Sequence, residues 1–249
     1  MNLLNFCLLG RKKTFDFTSS ISAVMGPAMR RQKIQEVPVI NDPRCASGTG
    51  YAQSKYMIER ITQHYASVLD MPVRLLRVGQ LCGHSKLGVW NETEMWPIMF
   101  ATGLDYLNAM PLFQSTQSVN WLPVDKCAEA IGSIITNGSK DRYTVNNLTH
   151  PKPISWNTLL DSLEEASRKT FSMVHVSEWA ASLEKLGEDG RSEVPGLRLL
   201  GFFQNVAMNP KPEEFEVVAE SVVGVDPLDV AAVSKWLLRW RESRFVEER

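Results

Sequence analysis

The chain has 249 residues with 27 basic and 28 acidic side chains, a formal net charge of −1 that excludes an electrostatic grip on nucleic acid or an anionic membrane. This length buries a substantial core, as one large domain or two small ones. Its four cysteines (Cys7, Cys45, Cys82 and Cys127) are scattered with no paired metal spacing, which reads as reduced thiols and a cytoplasmic location, with no metal site expected.

The apolar run 2–9 is too short to span a membrane and lacks a basic leader or cleavage site, so a buried helix is expected there. Residues 15–20 (Phe-Asp-Phe-Thr-Ser-Ser) alternate like a short strand, and Gly26-Pro27 opens a loop that runs through Pro38, Pro43 and Ser47-Gly48-Thr49-Gly50. A helix then begins at Tyr51, with Met57, Ile58, Ile61, Tyr65, Val68 and Leu69 as its expected apolar face. Asp70-Met71-Pro72 ends it, because proline cannot continue the hydrogen-bond ladder. Residues 73–78 form an apolar strand candidate that carries two arginines. The strand–loop–helix–strand order points to a parallel α/β sheet.

Residues 83–111 read as irregular, with Trp90, Trp96 and Pro97 among polar neighbours. Asp125 is placed to cap a helix with apolar positions Val124, Cys127, Ala128, Ile131, Ile134 and Ile135, and Asn137-Gly138 as its stop. Tyr143 to Val145 is a further strand candidate. Beyond Pro151 and Pro153 the pattern changes to short capped helices, with starts expected at Ser155, Ser177 and Asp226-Pro227. The expected architecture is α/β: a partial Rossmann-like parallel sheet over residues 1–147, including an irregular substrate segment at 83–115, and a mostly helical substrate-binding cap over 148–249.

The chemistry concentrates at Tyr51-Ala52-Gln53-Ser54-Lys55. Positions i and i+4 share one face of a helix, so the phenol and the ammonium point into one site. The ammonium favours the ionised phenol, turning a weak acid–base group into a useful one near neutral pH. A serine hydroxyl ending the preceding strand would add a second hydrogen bond to a carbonyl oxygen; Ser20 is the choice, with Ser19 and Ser22 as alternatives. Asp125 reads as a cap, and His84 near Cys82 lacks the further ligands that a metal requires.

Phe17-Thr18-Ser19-Ser20, Tyr51-x-x-x-Lys55, the run Leu76-Arg77-Val78-Gly79-Gln80-Leu81-Cys82-Gly83 and the run Trp121-Leu122-Pro123-Val124-Asp125 occur in that order. Together with a tryptophan-rich tail (Trp236, Trp240), they resemble the extended short-chain dehydrogenase/reductase superfamily. The likeness is to its thioester-reductase branch, the terminal reductase domains of nonribosomal-peptide-synthetase-like and adenylate-forming reductases and of carboxylic acid reductases. The resemblance implies NADP(H) as cofactor and reduction of an acyl thioester, held on the phosphopantetheine arm of an acyl or peptidyl carrier protein, to an aldehyde or alcohol in secondary metabolism. It also implies Ser20, Tyr51 and Lys55 as catalytic residues, with the cofactor lying along Tyr51, Lys55, Gly79, Gln80 and Leu81. The tryptophans read mostly as core and pocket wall, with Trp90 or Trp96 as candidates to border an acyl channel. No nucleic acid or membrane partner is implied. The sequence departs from the family in lacking the Gly-x-x-Gly-x-x-Gly turn that receives the pyrophosphate, so the nucleotide-binding half is expected to be missing and the cofactor weakly held. Another extended short-chain dehydrogenase or epimerase, and a non-catalytic interaction module, are the competing readings.

Overall fold

The computed structural model describes residues 2–30, 32–113, 118–137, 141–208 and 215–247. In chain order the elements are α1 (Asn2–Leu8), β1 (Phe15–Ser20), α2 (Gly50–Leu69), β2 (Val73–Val78), β3 (Leu81–Cys82) and α3 (Met95–Thr102). They continue with β4 (Ala109–Leu112), β5 (Ser118–Val119), β6 (Leu122–Pro123), α4 (Val124–Asn137), β7 (Tyr143–Leu148) and β8 (Ile154–Ser155). The last are α5 (Trp156–Ser167), β9 (Ser172–His175), α6 (Val176–Glu188), α7 (Leu200–Met208) and α8 (Val230–Glu242).

The expected parallel sheet forms. β1, β2 and β7 pair in parallel in the order β1-β2-β7, and Ser20, Val78 and Leu148 come into register at their carboxyl ends. α2 covers this sheet because Thr49 accepts a hydrogen bond from the Ala52 N–H at its start. At its end Asp70 adopts a left-handed conformation (φ 56°), and Pro72 forbids continuation. The buried face of α2 differs from the expected one. Ala52, Tyr56, Glu59, Thr62, Tyr65 and Ala66 face inward, whereas Met57, Val68 and Leu69 are exposed. Hydrophobicity misled here because the inward face carries a carboxylate and a hydroxyl, each satisfied by buried partners. α1 is likewise only half buried: Leu4 and Cys7 enter the core beside Met71, Val73 and Leu75, while Leu3 and Phe6, and Leu9 just beyond the helix, are exposed.

The chain divides into two compact units that interleave along the sequence. The sheet unit comprises residues 1–82, 120–153 and 213–226, and the helical unit 83–119, 154–212 and 227–249. The single boundary expected after residue 147 would assign residues 83–119 to the sheet and 213–226 to the helices. In the sheet unit, Ile34 bridges Val217 in parallel, and the Asn147 side-chain amide donates to the Val218 carbonyl at 2.8 Å, so residues 215–226 flank β7.

The helical unit is built on aromatic rings. Trp156, Trp179, Trp236 and Trp240 are fully buried. Two of these indoles donate to backbone carbonyls, Trp156 to Pro111 at 3.0 Å and Trp179 to Ala109 at 2.9 Å. A tryptophan buried with its N–H satisfied is worth about 3–5 kcal/mol against alanine. Trp90 packs edge-on to Trp236 at 4.9 Å, and Trp96 lies 5.5 Å from Trp156. Both are buried within this cluster, in keeping with the reading of the tryptophans as mostly core.

The segment 83–111 is also less irregular than expected, because α3 lies within it. Nearly every residue of α3 is buried, so no amphipathic period betrays it in the sequence. Ser155 caps α5 as expected, accepting from the Thr158 N–H at 3.0 Å. The two later starts shift: His175 caps α6 through Nδ1 and Asp229 caps α8 through Oδ1. Asp125 sits inside the first turn of α4, which begins at Val124; the helix ends at Asn137, and the expected stop residue Gly138 lies outside the described residues.

Candidate active site

The carboxyl ends of parallel strands are where loops converge and ligands bind in open α/β sheets. Ser20 is the last residue of β1 and opens a 3₁₀ turn, Ile21–Val24. Its Oγ accepts from the Ser22 N–H at 3.3 Å and from the Ser22 hydroxyl at 3.0 Å. Both bonds point inward to Ser20, so its own O–H hydrogen stays available for an outside acceptor. Ser19 alternates to the other face of the strand, where its hydroxyl donates to Glu59 at 2.6 Å in a buried setting. Of the three serines weighed from the sequence, Ser19 is thus consumed internally, and Ser22 supports Ser20.

Two contacts bring the start of α2 to this turn. The Ser47 N–H donates to the Ser22 carbonyl at 3.0 Å, and Ile21, Ala23 and Val24 pack with Ala52 and Tyr56. Gly26 permits the approach of the two loops: a Cβ there would lie 2.1 Å from the Ala46 carbonyl oxygen. Tyr51, in the first turn of α2, is 60% exposed. One turn on, the Lys55 ammonium donates to the Thr18 carbonyl of β1 at 2.9 Å. It sits 5.5 Å from the Tyr51 ring centroid and 5.0 Å from that of Phe17. Tyr51, Lys55 and Ser20 are therefore gathered at one end of the sheet, a phenol in solvent beside an ammonium fixed to the strand that carries the serine.

Gly79, Gln80 and Leu81 follow β2 at the same edge. The Gly79 N–H donates to the Leu148 carbonyl at 3.0 Å, and the Gln80 carbonyl accepts from the Leu122 N–H at 2.9 Å. A Cβ at Gly79 would stand 2.6 Å from the Thr149 methyl, so glycine is required there by packing. The residues present suit the ribose and nicotinamide end of a dinucleotide: a fixed cation, an exposed phenol and a glycine backbone at a strand terminus. A pyrophosphate finds no matching turn, since Gly26 is committed to loop packing and no Gly-x-x-Gly-x-x-Gly stands in the sequence.

His150 lies just beyond β7 at this edge. Its Nδ1 accepts from the Lys152 N–H at 3.0 Å, so Nε2 carries the hydrogen and donates to the Asp226 carbonyl, also at 3.0 Å. Burial pushes its pKa below the ordinary 6.5. The unfolded chain then takes up this proton before the folded one does, and stability falls as pH drops through about 6.5. Urea midpoints at neutral and mildly acidic pH should show this loss in the wild type. His150→Gln should remove that part of the slope.

Sequence reasoning missed Glu59 and Arg77. Glu59 Oε2 accepts from Arg77 at 2.8 Å, with both side chains almost wholly buried (0% and 1% exposed). The available signal was an arginine inside an apolar strand, together with a glutamate one turn beyond Lys55.

Residues 1–131, more than half of the chain, match the NAD-binding family described as Male sterility protein. The adenylate-forming reductase Nps11 of Serpula lacrymans is 30% identical over 207 residues, covering 79% of this chain and 18% of that protein. An adenylate-forming reductase of Aspergillus terreus is 27% identical over 252 residues, covering 95% of this chain and 23% of that protein. The chain thus spans less than a quarter of the length of these curated relatives. Among solved structures, the terminal R domain from the myxalamid PKS-NRPS biosynthetic pathway superposes with a TM-score of 0.79 at 20% identity, over 98% of this chain and 62% of that one. The thiolation-reductase di-domain from an archaeal non-ribosomal peptide synthetase gives a TM-score of 0.74 at 18% identity, over 99% of this chain and 52% of that one. These likenesses confirm the Rossmann-like α/β fold. The chain belongs to the Male sterility protein family, within the thioester-reductase branch of the extended short-chain dehydrogenase/reductase superfamily.

Proposed function

We propose that this chain carries the proton-donating, nicotinamide-side part of an NADPH-dependent thioester reductase acting on an acyl or peptidyl group tethered through phosphopantetheine to a carrier protein. The observation that carries the reading is the exposed Tyr51 phenol beside the Lys55 ammonium, which is pinned to β1 at the end where Ser20 keeps a free O–H. Relatives named as adenylate-forming reductases, and a structural neighbour that joins a thiolation domain to a reductase, support the substrate class.

A bound nicotinamide supplies hydride to the thioester carbonyl carbon. Every other demand falls on side chains of this protein. Negative charge gathers on the carbonyl oxygen, where the Ser20 and Tyr51 hydroxyls donate hydrogen bonds. Tyr51 gives its proton to that oxygen, and the Lys55 ammonium stabilises the phenolate left behind. Collapse of the resulting hemithioacetal breaks the C–S bond and yields an aldehyde and a free pantetheine thiol. The helical unit is assigned to substrate recognition in this reading.

Without a glycine turn for the pyrophosphate, this chain is expected to bind NADPH weakly. Loss of ~4 kcal/mol of contact energy moves a micromolar site to the millimolar range. Calorimetric titration with NADPH reads this directly, and micromolar affinity would mean that other residues hold the pyrophosphate. The function itself is tested with near-saturating NADPH and an acyl-pantetheine thioester, following aldehyde and free thiol. Thiol release matched by NADPH oxidation supports the reductase, whereas no thiol release under saturation favours a non-catalytic module.

A further inference from the structure

One residue below the carboxyl edge, the sheet carries a row of polar side chains where apolar ones would be expected. Ser19, Arg77 and Asn147 are register partners across β1, β2 and β7, and they are 2%, 1% and 0% exposed. Arg77 is fully engaged: Nε lies 3.1 Å from both Glu59 oxygens, and the guanidinium also donates to the Val37 carbonyl at 3.1 Å. The Glu59 carboxylate, held by Arg77, accepts from the Ser19 hydroxyl at 2.6 Å.

Buried ion pairs of this kind are poor sources of net stability, because desolvation offsets most of the attraction. What they supply is a unique geometry. Here that geometry ties α2 to β1 at two successive points: Lys55 grips the Thr18 carbonyl, and Glu59, one turn on, grips the Ser19 hydroxyl. A slip of α2 by a single turn, ~5.4 Å, would break both ties at once. The two helix residues lie on the face that carries Tyr51, and the two strand residues immediately precede Ser20.

We propose that Glu59, Arg77 and Ser19 are positioning residues: a buried clamp that fixes the height and rotation of α2 against β1, and thereby the placement of the Tyr51 hydroxyl relative to Ser20. The inference rests on the reductase reading for its catalytic consequence, but its structural content stands apart from it. Misplacement of reacting groups by ~1 Å costs on the order of a hundredfold in rate, so a clamp below the site has large leverage.

Ser19→Ala tests this, because it removes the tie to β1 and leaves the Glu59–Arg77 pair whole. The expected result is amide exchange at least ~10-fold faster in the first turn of α2, with exchange in α8 unchanged. With NADPH and an acyl-pantetheine thioester, kcat should fall ~10-fold or more while KM stays within about twofold. Ser19→Thr, which keeps the hydroxyl, should restore both readouts. If Ser19→Ala does not fold, Ser19→Cys preserves volume with a much weaker donor and is read the same way. Wild-type exchange around Tyr51 in a folded Ser19→Ala or Ser19→Cys protein overturns the clamp, whatever the activity. Faster exchange with no turnover in either protein upholds the clamp and counts against the reductase reading instead.

Discussion

Tyr51→Phe should lower kcat by roughly 10²–10⁴-fold and leave the fold intact, the span typical of losing a positioned general acid. The structural half of this expectation follows from exposure. The Tyr51 ring is 60% exposed, so deleting its hydroxyl oxygen should change stability by less than about 0.5 kcal/mol. The catalytic half follows from position. The Tyr51 ring lies beside the fixed Lys55 ammonium, 5.5 Å from the ring centroid, in the first turn of the helix that this ammonium ties to β1. NADPH oxidation and thiol release, measured on both proteins alongside thermal unfolding, separate the two halves. Activity in Tyr51→Phe within threefold of the wild type would remove the phenol from the mechanism.

Arg77→Met should cost the fold about 3–5 kcal/mol, the penalty for leaving a buried carboxylate without its cation. Glu59 is 0% exposed, so surface solvent does not soften the loss. The Val37 and Gln35 carbonyls lose their guanidinium donor in the same change. A domain of this size has roughly 5–15 kcal/mol in total, so the variant should unfold at visibly lower urea. The double change Glu59→Leu with Arg77→Met should recover most of that loss, since apolar side chains of similar volume need no partner. Urea midpoints for the wild type, single and double variants make the comparison. A single variant as stable as the wild type would show that water or another cation reaches Glu59.

The strands and α2 were legible because local chemistry marks them. Asp70 and Pro72 end α2 by backbone rules that need no tertiary context, and the Tyr51–Lys55 spacing is a property of one helix. The same held for Ser20, which ends its strand. Elements whose character comes from long-range packing were not legible. α3 is nearly all apolar and thus silent to periodicity, and the indole partners of Trp90 and Trp96 lie more than fifty residues away, beyond any local pattern. Glu59 drew no reading from the sequence because its partner lies eighteen residues on, inside a strand. The caps at His175 and Asp229 were missed for a smaller reason: each stands near another residue that caps equally well by rule, and tertiary geometry chose between them.

The interleaving of the two units bears on the order in which the protein is made. The backbone passes between them five times, at residues 82/83, 119/120, 153/154, 212/213 and 226/227. On the ribosome, β1 and β2 can pair soon after emerging, but the outer flank of β7 must wait for Val218 and Ser221, some seventy residues later. Until then the Asn147 amide lacks its Val218 acceptor, and the nascent sheet exposes a strand edge open to wrong partners. A stop codon shortly before Glu216 would therefore harm the earliest-made part of the chain as well as the last, and neither unit can be released intact by a single proteolytic cut.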